Sequence, residues 1–108
     1  MKLDRRTLIR YDLSLPARIR SEGGHSGIWS EGQTRDLSVE GVYLRAQVSV
    51  PVGSRVEMYL ALPEIFTSGE KLFIHAFGSV LRVEQAKPVT QVSVGVAAMI
   101  ERYDITRG

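Results

Sequence analysis

The stretch LFIHAFGSVLRV, Leu72 to Val83, alternates with a period of two. Leu72, Ile74, Ala76 and Val80 fall on one side of an extended chain. Phe73, Phe77, Leu81 and Val83 fall on the other. Twelve such residues without helical periodicity predict a long strand. Gly78 interrupts it, where a bulge or tight bend is expected. The same period appears upstream in RVEMYLAL, where Val56, Met58, Leu60 and Leu62 share a face. Downstream, QVSVGVAAMI puts Val92, Val94, Val96, Ala98 and Ile100 on one side. Further out, YDLSLPARIR alternates Leu13, Leu15, Ala17 and Ile19 with polar positions, and Pro16 argues for an edge or a bulge. Ile28–Arg35 and Val42–Ala46 complete the set. Gly- and Pro-rich joints such as SEGGHSG and PVGS separate the runs.

About six short-spaced strands, with almost no helical pattern, predict an all-β fold: a small six-stranded antiparallel barrel, since closure removes exposed strand edges. Short helical pieces are expected only around Arg5–Arg10 and in the tail ERYDITRG after Ile100, the latter too short to stand without packing. At 108 residues the chain suits one domain, divided into a flexible basic arm, 1–11, and a barrel, 12–108.

No apolar run approaches the ~20 residues of a membrane-spanning helix, and MKLDRRTLIR has charges where a signal peptide needs an apolar stretch. The expectation is a soluble cytoplasmic protein. The absence of cysteine removes disulfides, thiolate nucleophiles and thiolate metal sites. The net charge of +2 is uneven. Residues 1–20 carry six basic side chains against two acidic ones, which leaves the remainder at −2. A basic lead on a mildly acidic body suits either a solvated terminus or an anionic partner for that segment.

Enzyme motifs fail. GHSGI has Ile28 where a nucleophile elbow needs glycine, and no phosphate-binding glycine loop occurs. His25 and His75 lack metal-ligand spacing; His75, between Phe73 and Phe77, reads as a hydrogen-bonded barrel histidine. Tyr11, Trp29, Tyr43, Tyr59 and Tyr103 show no stacking ladder by spacing. No catalytic residue, metal or cofactor is expected.

Two polar motifs stand out. In RRTLIR, Arg6 and Arg10 share a face whether the segment is helical or extended, with Arg5 beside them. Guanidinium forks bind phosphate oxygens in pairs, and their flat faces stack on bases. In DLSVEG, Asp36 and Ser38 lie two apart on an extended segment, so their side chains face one side. Gly41 permits a positive φ, or lets a ligand approach the backbone closely. A carboxylate complements the adjacent N–H donors on guanine's Watson–Crick edge. The same hexapeptide also reads as a β-turn in which Asp36 and Ser38 bond their own backbone.

Taken together, Arg6-x-x-x-Arg10 followed by Asp36-x-Ser38-x-x-Gly41 resembles the PilZ domain family, with GSVLRV (78–83) and VGVAAM (94–99) similar to its later strands. That resemblance implies a six-stranded bacterial barrel that binds cyclic di-GMP without catalysis. Arg6 and Arg10 would contact phosphates and stack on guanine, and Arg5 would be an auxiliary cation. Asp36 and Ser38 would bond guanine, and Gly41 would shape the turn. Two departures from the family are the VAAMI ending, which lacks an aromatic after Gly-Val, and the near absence of a C-terminal helix.

The function this implies is a receptor whose arm orders on cyclic di-GMP and presents a new surface to an effector protein, as a monomer or a ligand-linked dimer. Two alternatives compete: a ligand-independent PilZ-like adaptor, and a small basic barrel binding RNA or single-stranded DNA. The intact motifs count against the first. The acidic balance of residues 21–108 counts against the second.

Overall fold

The computed structural model describes residues 14–22, 29–38, 40–47, 50–85 and 94–107. Arg5, Arg6 and Arg10, the arm of residues 1–11, and the helical piece expected there lie outside them. Six strands form: β1 (Pro16–Ser21), β2 (Ser30–Leu37), β3 (Gly41–Ala46), β4 (Arg55–Ala61), β5 (Leu72–Gln85) and β6 (Val94–Arg107). They close into a barrel in the order β1-β2-β3-β6-β5-β4, with every neighbouring pair antiparallel. The all-β, six-stranded barrel read from the sequence is the observed fold. One 3₁₀ turn, Glu64–Phe66, is the only helical element among the described residues.

Alternation builds the core. Ile19, Leu44, Val56, Met58, Leu60 and Val80 point inward and are at most 1% exposed. Thr34 is the one buried hydroxyl among the described residues. Its Oγ1 accepts from Leu15 N–H at 2.8 Å, and its own N–H donates to the Leu15 carbonyl at 2.9 Å, which ties the lead into β1 onto β2. Pro16 is neither on an edge nor in a bulge. It is the first residue of β1, pairs with Gln33, and precedes the β1–β4 ladder that begins at Ala17, so its missing N–H costs no ladder bond there.

Three irregularities shape the wall. At Gly78 the β5–β6 register shifts, as the sequence suggested, with Phe77 opposite Arg102 and Gly78 opposite Ile100. A second shift, between Val80 and Arg82, turns Leu81 outward, 58% exposed. It moves Val83 onto the core side, against the face expected for it. A third, on β2 between Thr34 and Asp36, makes Arg35 the extra residue.

The tail after Ile100 is strand, not helix. Arg102 to Arg107 continue β6 along β5, ending at Arg107 opposite Leu72. Tyr103, Ile105 and Thr106 are β-formers that extend a ladder already nucleated by residues 94–100, so the segment gains packing as strand that it lacked as helix.

The outer wall of β1, β4 and β5 corrects another expectation. Trp29 packs on Tyr59 with centroids 5.3 Å apart, Tyr59 stacks on His75 at 4.2 Å, and His75 meets Phe77 at 4.7 Å. Arg20 covers Trp29 and Arg102 covers Phe77. A ladder does exist among the described residues, but of the five aromatic residues considered only Trp29 and Tyr59 enter it, and His75 and Phe77 of β5 complete it. Glu57 anchors it: Oε1 accepts from Arg20 at 2.7 Å and Oε2 meets His75 Nε2 at 2.6 Å. His75 is therefore the hydrogen-bonded barrel histidine expected. Burial opposes ionisation of Glu57, but the hydrogen bonds and charges of His75 and Arg20 outweigh it and hold the carboxyl below its ordinary 4.5. A depressed carboxyl pKa contributes stability that is present above the unfolded value and is lost as pH falls through the folded one. Glu57→Gln is thus expected to cost on the order of 1–2 kcal/mol at pH 7. The gap between variant and parent should close as pH drops below 4.5. Urea titrations at pH 7, 5 and 3 measure it; a gap that widens in acid contradicts the assignment.

Candidate functional site

The hexapeptide Asp36–Gly41 joins β2 to β3 on the outer wall. Ser38 closes the turn: its N–H donates to the Gly41 carbonyl at 2.9 Å, and its Oγ accepts from Gly41 N–H at 3.3 Å. The Ser38 hydroxyl also donates to the Gly41 carbonyl at 3.3 Å. Ile100 N–H then bonds the Glu40 carbonyl at 2.9 Å, pinning the turn to β6. For Ser38, then, the β-turn reading of the motif describes the local structure.

Asp36 behaves differently. The bulge at Arg35 places it opposite Tyr43, on the outward side. Among the described residues its carboxylate takes part in no hydrogen bond or ion pair, so both oxygens stay available as acceptors. Gly41 sits outside the positive-φ region; among the described glycines only Gly53 and Gly69 adopt it. The reason for glycine here is proximity. A Cβ at Gly41 would stand 2.8 Å from the Ala98 carbonyl oxygen of β6. The positive φ expected of Gly41 is not adopted, and the group that comes close to its Cα here is the neighbouring strand.

Asp36, Ser38 and Gly41 line one open cleft of about 600 Å³, a volume within the range of small-molecule sites. Its far wall was not anticipated. Tyr43 on β3, Ala97 on β6 and Arg82 on β5 continue the row that starts at Asp36, because strand register puts them side by side. Arg82 Nε holds Glu84 Oε1 at 2.7 Å, and Tyr43 donates to Glu84 Oε2 at 3.3 Å. Leu81 and Met99, 58% and 42% exposed, add apolar surface. A second hollow of about 320 Å³, with Arg35 and Arg82 on its rim, adjoins the first and shares Asp36 and Tyr43. The cleft thus offers an unspent carboxylate, an aromatic ring, an arginine and apolar contacts. That combination suits a flat, polar-edged, anionic ligand. Tyr43 had no signal in the linear sequence beyond lying on a strand, and the two-residue period puts Arg82 on the face of Ile74, Ala76 and Val80, from which only the bulge at Leu81 displaces it. Among the described residues no cluster of histidine and carboxylate side chains could hold a metal ion.

The PilZ domain model matches residues 4–103, and the chain belongs to that family. The match spans both the arginine motif and Asp36–Gly41. Among solved structures the chain is similar to the Bacillus subtilis inhibitor of motility MotI/DgrA, with a TM-score of 0.71 and 16% identity over 94% of this chain. The likeness covers 45% of that neighbour, so the chain spans under half of its length. At that identity it supports the fold alone. No curated protein matches. Among the described residues no helix is long and apolar enough to cross a membrane.

Proposed function

We propose that the chain is a cyclic di-GMP receptor that reports ligand by reshaping its surface. The observation that carries this reading is Asp36: a half-buried, outward-facing carboxylate without a partner among the described residues, at the mouth of a cleft of suitable volume. An acceptor of this kind matches the paired N–H donors of a guanine edge. Ser38 and Gly41 hold the turn in place, and the Ser38 hydroxyl adds a contact at the base. Arg6 and Arg10, with Arg5 beside them, bind the phosphates and stack on guanine. The arm, 1–11, orders on ligand against the barrel, 12–108, and an effector protein reads the combined surface.

Ordering the arm costs roughly 1–2 kcal/mol per backbone residue fixed. Charge-assisted bonds return about 1.5–3 kcal/mol each, so several must form together. Membership of the PilZ family and the intact motifs support this reading over a ligand-independent adaptor. Isothermal titration with cyclic di-GMP, with GTP as control, tests it. Saturable heat from the dinucleotide alone is expected, and a folded chain that gives none refutes the proposal.

Arg82 gives a smaller prediction. Its position on the row from Asp36 puts a second cation within the cleft, already balanced by Glu84. Arg82→Ala should weaken cyclic di-GMP by about three- to tenfold, since an exposed ion pair must first be given up. The affinity should also depend less on salt in the variant. Titrations at 50 and 300 mM salt, compared with the parent (two concentrations chosen to span roughly 14 to 6 Å of screening length), show whether Arg82 faces the phosphates. Unchanged affinity and salt dependence would exclude it.

A further inference from the structure

β6 is a strand of two halves. From Val94 to Met99 it pairs with β3 on one side and β5 on the other. Ile100 still gives its N–H to Glu40. From Arg102 to Arg107 its ladder to β5 continues, but among the described residues no strand pairs with the other edge of residues 101–107. Those seven residues span about 23 Å of backbone with no strand partner on that side among the described residues. Proteins usually blunt such an edge with proline, lysine or a covering element. This one carries neither proline nor lysine; its charges, Glu101, Arg102, Asp104 and Arg107, are of both signs, and it presents Tyr103 and Ile105, 54% and 51% exposed.

The side chains along the edge are self-complementary. Arg102 lies opposite Phe77 and Asp104 opposite His75, both on the outer face. Tyr103 and Ile105 lie opposite Ala76 and Ile74, on the inner face. Two copies related by a twofold axis perpendicular to the sheet keep these faces in common, so partner positions must have the same parity. Centring the axis on Arg102 or Asp104 sets like charges against each other. Centring it on Ile105 or Thr106 places no opposite charges across the seam. Centring it on Tyr103 puts Arg102 against Asp104 of the second copy, twice, with the two Tyr103 rings facing. Arg102 is steadied on the Phe77 ring at 4.2 Å, and neither Arg102 nor Asp104 has an ion-pair partner among the described residues.

We propose that two copies of this chain associate edge to edge through β6, antiparallel, on a twofold axis at Tyr103, to form one sheet continuous across both barrels. The association is independent of the cyclic di-GMP reading. With the axis at Tyr103 the seam pairs residues 101–105 of each copy, because Ile100 and Met99 are already held by Glu40 and Gly41; one this short sits at the small end of specific interfaces, so dissociation constants on the order of 10–100 µM are expected.

Sedimentation velocity from 10 µM to 1 mM should show a reversible monomer–dimer equilibrium. Asp104→Arg and Arg102→Asp should each weaken it at least tenfold, and the double reversal should restore it to within about threefold of the parent. Melting temperatures of all three check that they fold. The chain has no cysteine, so Tyr103→Cys gives a second reading that requires no charge change. It should oxidise to a disulfide-linked dimer, whereas Ile105→Cys, facing Glu101 of the second copy, should not. A parent chain that stays monomeric at 1 mM overturns the proposal. So does a dimer indifferent to the single reversals, or one in which Tyr103→Cys links no faster than Ile105→Cys.

Discussion

Replacing either Arg6 or Arg10 by alanine is expected to lower cyclic di-GMP affinity at least a hundredfold, far more than one contact accounts for. On the proposed mechanism the arm has no reason to order until its ionic bonds form together. Removing one guanidinium deletes its own bonds, about 1.5–3 kcal/mol each, and leaves the ordering cost of the segment standing. The remaining arginine then lacks the gain needed to bring the arm in. Asp36→Ala should cost less, about ten- to thirtyfold, because it removes guanine contacts without touching the arm. Asp36 has no partner within the described barrel, so its loss should leave the melting temperature unchanged. Ser38→Ala should lower both affinity and stability, since that hydroxyl closes the turn. Calorimetric titration paired with thermal melts separates these outcomes. Full affinity in Arg6→Ala and Arg10→Ala would remove the arm from the mechanism and leave the cleft to bind alone.

The strands were legible because barrel walls impose a two-residue period, and Val56, Met58 and Leu60 or Val94, Val96 and Ala98 keep it without interruption. Reading failed where geometry depends on a neighbour. Val83 changed sides because of a bulge at Leu81, and no glycine marks that bulge as Gly78 marks its own. The ladder from Trp29 to Phe77 draws one ring or more from each of several separate segments, so linear spacing hides it. Residues 101–107 are too short to form a helix alone, but β5 was already there to template them as strand.

The candidate site divides the same way. Asp36, Ser38 and Gly41 are contiguous enough to read as a motif, and they do share one cleft. Tyr43 and Arg82 enter it only through register, across β3, β6 and β5. From sequence Gly41 reads as a positive φ or as room for a ligand, but in the barrel what comes close to its bare Cα is the Ala98 carbonyl. A glycine read from sequence says that something comes close, without saying what.

That distinction makes Gly78 the position whose substitution by alanine should damage the fold most among the barrel glycines facing β6. A Cβ there would stand 1.8 Å from the Met99 carbonyl oxygen and 2.9 Å from its carbon. Both are backbone atoms of the adjoining strand and cannot rotate away. Relief requires β5 and β6 to part at the register shift, where Glu101 is held by Ser79 at 2.6 Å and by Arg55 at 3.2 Å. We expect Gly78→Ala to cost about 3 kcal/mol, in the range of overpacked interiors, and to lower the melting temperature by roughly 10–20 °C for a domain of this size. Gly95→Ala is the control. Its Cβ would meet the Tyr43 hydroxyl at 1.9 Å, the far end of a side chain that can swing outward at the loss of a 3.3 Å bond to Glu84. It should cost under ~1 kcal/mol, because an exposed hydrogen bond is worth little. Chemical denaturation of both variants decides the point. Near-parental stability in Gly78→Ala would mean that β5 and β6 yield at the bulge. The cleft, whose far side is built on Leu81, Arg82 and Met99 of those same strands, would then have a movable wall.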